Sequence, residues 1–208
     1  MKTYKINSNE TYIYLVRENI ELILDLINQS SKQSKPFDPN NLAQFYKSRT
    51  KHLQTMAVLG LTYEHLLKRI ILKRGFSVFV VNSVRTVKGI DQIKYSNKTI
   101  SFKSLIKIFL ESNVDEYFEK IKTYEFNTQK TGYQYEYLGY KKIDPSKFIF
   151  LIQSIRNNYV HDIDSHSEWN GLIWYSINYL IWLAKKEFPK YFSEYDYIGN
   201  QDIVNLFK

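Results

Sequence analysis

Apolar residues return every three or four positions along most of this chain. That period commits it to amphipathic helices. The longest run starts after Asp38-Pro39 and extends to about Arg74. Leu42 and Phe45 lead into a stripe of Leu53, Met56, Gly60, Tyr63, Leu67 and Ile70. Lys73 and Arg74 fall in the last turn and suit its negative pole, and Gly75 follows as a natural left-handed cap. Upstream, Ile13, Val16, Ile20, Leu24 and Ile27 predict a helix over 9–29, with Asn7 and Glu10 as a capping pair. Ser30 to Asn40 carries Pro36 and Pro39 and reads as a loop.

Helical spacing resumes at Phe102, Leu105, Ile106, Phe109 and Leu110, and Val114 to Tyr124 also reads as helical. Asp144-Pro145 supplies an N-cap and a first-turn proline for a helix whose buried face is Phe148, Leu151, Ile152 and Ile155, ending near His161. Ser165 and Glu168 fit a capping box for a last long helix over 166–188, which Pro189 stops, and a short helix is expected at 201–207. Two stretches break the period. Phe76 to Val81 is β-branched and aromatic, and the residues to Ile100 read as a small hairpin, turning at Ser96-Asn97, or as irregular structure. Thr128 to Lys142 reads as a tyrosine-rich loop. The expected fold class is therefore all-α: one domain over 1–208, an antiparallel helical bundle with a small β-hairpin or irregular insertion around 76–100.

Composition limits the chemistry. With no cysteine among 208 residues, disulfide frameworks, cysteine-ligated zinc and thiol nucleophiles are excluded. A net charge of +8 with 18 tyrosines suits either a polyanionic partner or a lysine-rich solvated surface. Residues 1–10 lack the apolar core of a signal peptide. Leu172 to Ala184 falls short of the roughly 20 residues a membrane span needs. The expectation is a cytoplasmic protein with no membrane partner. Scattered glycines offer no phosphate loop, and no nucleophile-elbow sequence occurs.

One stretch joins a proton carrier to a fixed cation: Arg156-Asn157-Asn158-Tyr159-Val160-His161. An imidazole moves protons near neutral pH, and a guanidinium clamps phosphate oxygens as charge builds on them. On RNA the 2′-hydroxyl supplies the nucleophile, so neither metal nor cofactor is required. Asn157 and His161 share a helix face, whereas Arg156 and His161 lie roughly 140° apart on an ideal helix. They converge if His161 occupies a frayed last turn or if a second chain completes the site. The helix C-terminus, Asp162 and Asp164 all favour a protonated His161. The alternative is that Arg156 and His161 merely cap a helix end.

An arginine, a polar residue, a short gap and a histidine late in a helix, followed by another long helix, resembles the signature of the HEPN superfamily. The resemblance spans about residues 41–188, with the helix at 9–29 packing on that core. Tyr63-Glu64-His65-Leu66-Leu67-Lys68 looks like part of the family's first core helix, and only the Arg156–His161 stretch is specific. It implies a metal-independent endoribonuclease acting as a homodimer, often a toxin or phage-defence effector with an antitoxin or regulatory protein as partner. His161 would be the general acid/base, Arg156 would stabilise the phosphorane, and Asn157 would orient one of them. Some members only bind RNA, nucleotides or proteins. Tyr159, Tyr137, Tyr140, Lys141 and Lys142 are candidate RNA contacts, and Tyr133 to Tyr140 reads equally as an edge strand or a dimer contact. Glu64 and Asp162 are candidate supporting residues, although Glu64 also pairs with Lys68 as a solvated i,i+4 ion pair. A further alternative is a metal-dependent HD-type phosphohydrolase built on His161-Asp162, for which His65 and Asp196 are poorly spaced. His161, Asp162, Asp164 and His166 could bind a metal as a local cluster, or could equally be a polar turn between helices. His52 has no assigned role.

Overall fold

The computed structural model describes residues 8–33, 42–112, 125–131, 134–142 and 170–199, with Gln153, Asn157 and Val204. The chain runs α1 (Ser8–Gln33), α2 (Leu42–Lys73), β1 (Phe79–Val87), β2 (Ile90–Thr99), α3 (Phe102–Ser112), β3 (Glu125–Thr131) and β4 (Gln134–Lys142). Two helices follow, α4 (Asn170–Glu187) and α5 (Pro189–Phe192). Helix α2 is the axis, with α1, α3 and α4 all packed on it. At 32 residues it is roughly 48 Å long at 1.5 Å per residue.

Helix α1 buries Ile13, Val16, Ile20, Ile23 and Leu26. Leu24 and Ile27, expected in the stripe, are only partly buried beside it. Both choices satisfy the helical period, and packing against α2 selects between them. The helix also runs past Ser30 to Gln33, into the stretch expected as a loop. Serine and lysine do not by themselves break a helix. Asn7 lies outside the described residues.

Helix α2 ends as its sequence predicts. Gly75 stands at φ 84°, its N–H donates to the Leu72 carbonyl (3.1 Å), and the Phe76 N–H donates to the Ile71 carbonyl (3.1 Å). This pair of bonds closes the last turn as a Schellman motif. Helix α3 starts at Ser101, whose Oγ accepts the Ser104 N–H at 3.1 Å. It buries Phe102, Leu105, Ile106 and Phe109.

Helix α4 is buried without interruption from Tyr175 to Ala184. A helix hidden on all sides belongs at the centre of a core. Tyr63 on α2 donates its hydroxyl to the Ser176 carbonyl at 2.6 Å, and burial raises its pKa well above the usual phenol value. The side chain of Asn178 holds Ile198 by two bonds, donating to its carbonyl at 2.6 Å and accepting its N–H at 2.8 Å. Val204 is helical and buried.

The all-α expectation is corrected: the fold is mixed, with two antiparallel two-stranded hairpins, β1–β2 and β3–β4. The second replaces most of the expected tyrosine-rich loop at 128–142. Strands are usually recognised by a buried face alternating with a wet one. The first ribbon has almost no buried face and β3 carries polar residues at most positions, whereas β4 alternates Gln134 and Glu136 with Tyr135 and Tyr137, as the edge-strand reading of the tyrosine run expected. The first hairpin turns at Lys88-Gly89, not at Ser96-Asn97. Both residues have positive φ, 53° and 76°, as a tight primed turn requires. Ser96 instead sits in a bulged part of β2, where its Oγ accepts the Lys98 N–H at 3.1 Å. Among the described residues no helix is long and apolar enough to cross a membrane.

Candidate functional site

Of the expected catalytic residues, Asn157 is described. It is helical and half-buried, as is Gln153 one turn earlier. Arg156, His161, Tyr159 and Asp162 lie outside the described residues, as do Asp164, Ser165 and His166. The expected substrate residues Tyr137, Tyr140, Lys141 and Lys142 are all on β4. Tyr137 stands opposite Thr128, and Lys142 opposite Glu125, with irregular register between these two pairs. A bulged strand, not a loop, therefore spaces these four positions.

The polar group on α2 is fully visible. Lys68 Nζ donates to Glu64 Oε1 at 2.7 Å, one helical turn apart. The expectation of a solvated pair is corrected here. Only 9% of the lysine side chain and 14% of the glutamate side chain are exposed. Packing of α1 over α2 withdraws the pair from water, which strengthens the attraction and makes loss of either partner costly. Lys68 also lies 5.9 Å from the ring of Tyr12 on α1.

His65 is half-buried beside them, its ring 5.9 Å from that of Tyr12. Its Nδ1 is buried and has no hydrogen-bond partner among the described residues. Burial lowers its pKa, the Lys68 charge lowers it further, and Glu64 acts against both. The imidazole is thus held neutral at physiological pH, able to take up a proton at a site sheltered from bulk water. Among the described residues no three His, Asp or Glu side chains converge as a metal site needs.

A second polar cluster escaped sequence reasoning. Glu187, at the end of α4, accepts Lys73 Nζ at 2.8 Å and Arg74 Nη2 at 3.1 Å. Arg74 also donates to the Ser112 hydroxyl at the end of α3. Lys73 and Arg74 were legible as cations at a helix C-terminus. Their carboxylate partner lies more than a hundred residues away, and no local spacing betrays it. Arg69, one turn earlier, lays its guanidinium 5.0 Å from the Phe188 ring, and its buried Nε lacks a hydrogen-bond partner among the described residues. These contacts clamp the ends of three helices together.

Comparison of the chain with models of known families, with curated proteins and with solved structures finds no match.

Proposed function

We propose that this chain is a metal-independent endoribonuclease, HEPN-like in its chemistry, acting in the cytoplasm as a homodimer and serving as a toxin or phage-defence effector. The observation that carries the reading is the sequence Arg156-Asn157 followed by His161, with Asn157 helical and half-buried ahead of the central helix α4. A chain with a net charge of +8 and no thiol is consistent with it.

The chemistry balances without a cofactor. The 2′-oxygen bonds to phosphorus, and the P–O5′ bond breaks. A neutral imidazole takes the 2′-hydroxyl proton, and a second, protonated one (an imidazolium) gives its proton to the departing 5′-oxygen. Two copies of His161 facing across a dimer would supply both roles. Arg156 would hold the non-bridging oxygens as their charge grows, and Asn157 would orient one of these side chains. Tyr159 and the β4 residues Tyr137, Tyr140, Lys141 and Lys142 would hold the strand. An antitoxin or regulatory protein would restrain the activity.

The test compares wild type with His161→Ala and Arg156→Ala on total RNA in EDTA. Wild type should leave 2′,3′-cyclic phosphate ends, and each variant should lose at least about a hundredfold in rate, the usual scale of a lost acid–base or charge-stabilising group. Equal cleavage by His161→Ala, or strict dependence on added metal, overturns the reading. Binding of RNA without new ends in wild type would make the chain a binding module.

A further inference from the structure

The β1–β2 ribbon leaves the helical body at one well-defined root. The Ile100 N–H donates to the Val78 carbonyl at 2.9 Å, and Val78 is completely buried. Beyond Phe79 almost every residue of both strands is exposed. A ribbon built in this way contributes little to the core.

Its register sorts the side chains. Ser83 faces Lys94, Arg85 faces Gln92, and Val87 faces Ile90, so these six share one side. The opposite side carries the pairs Val84 with Ile93 and Thr86 with Asp91, and Tyr95 continues it two residues after Ile93. Arg85 and Lys94 are diagonal neighbours on the first side. Lys88 sits in the turn and Lys98 near the base. The ribbon thus holds four cations against one carboxylate, Asp91, which accepts the Thr86 hydroxyl at 2.6 Å. On the other side Val84, Ile93 and Tyr95 stand open to solvent.

We propose that this ribbon is a second RNA-binding element, an arm that grips single-stranded RNA outside the cleavage site. The inference rests on RNA being the substrate. A single strand presents a phosphate chain together with unstacked bases, the two features that match a cationic face backed by an aliphatic and aromatic one. Self-association suits the arm less well, because two copies would bring like-charged ribbons together. Neither Arg85 nor Lys94 belongs to the Arg156–His161 motif, so binding and cleavage separate.

The experiment measures binding of the full-length protein to a fluorescent 2′-O-methyl oligouridine, which has no free 2′-hydroxyl and cannot be cleaved by this route. Arg85→Gln/Lys94→Gln should bind roughly tenfold more weakly. It should also flatten the log Kd against log salt plot by about 1.4, because each phosphate that a cation neutralises adds roughly 0.7 to that slope on a single strand. Arg85→Lys/Lys94→Arg should bind like wild type, and a thermal melt confirms that both variants are folded. The oligouridine is not cut and cleavage of total RNA is assayed separately, so failure of the nuclease reading and failure of the arm are distinguishable. Unchanged affinity and salt slope in Arg85→Gln/Lys94→Gln overturn the proposal. So does an effect of those substitutions on oligomeric state alone.

Discussion

Helix α4 and the β1–β2 ribbon both carry aliphatic and aromatic residues yet do opposite things with them. From Tyr175 to Ala184 the helix hides every residue. The ribbon leaves Val84 57% exposed and Ile90 69% exposed. An apolar side chain is therefore not by itself a core side chain. What distinguishes the two is whether neighbouring elements close over the surface. Helix α4 contributes to a packed centre around α2, whereas the ribbon projects from a root at Val78 and Ile100.

Substitutions in the two regions should separate them most sharply. Ile70→Ala in the fully buried seam of α2 should cost about 3–4 kcal/mol by chemical denaturation, through the apolar surface no longer buried and the cavity left behind. A loss under 1 kcal/mol would mean the seam collapses freely. Glu187→Ala should cost about 2–4 kcal/mol, because it removes the buried carboxylate that Arg74 and Lys73 share at the junction of three helix ends. The same measurement on Glu187→Gln should recover part of that loss.

A smaller effect is expected at His65. Its folded pKa lies below the ordinary 6.5, so the unfolded chain binds more protons between those two values. Stability should rise with pH across that window, fall as the solution is acidified through it, and level off below the folded pKa. Thermal melts from pH 5 to 8 should show that slope, and His65→Gln should lessen it. The smallest effect belongs to the ribbon. Val84→Ala should change stability by no more than about 0.5 kcal/mol, as an exposed position with little to lose. A larger loss would show that the ribbon is covered in solution.

The helices were legible because each repeats its apolar face over several turns, and local signals mark their ends. Gly75, with its positive φ, is the plainest case. The hairpins were much less legible. A two-stranded ribbon needs no buried face, and Lys88-Gly89 is a weaker turn signal than Asn-Gly or Asp-Gly. In the candidate site, Arg156, Asn157 and His161 stood out by residue type and spacing. The Glu64–Lys68 pair stood out as well, but not its withdrawal from water.

By itself, then, the sequence determined the helical period, the cap at Gly75 and the close spacing of Arg156, Asn157 and His161. These depend on interactions within a few residues. Only the tertiary structure decided that α1 turns Ile23 and Leu26 inward, that Glu187 joins the ends of α2 and α4, and that the β1–β2 ribbon stands clear of the core. Those outcomes depend on which surfaces meet, and residues distant in sequence carry no local mark of their future neighbours.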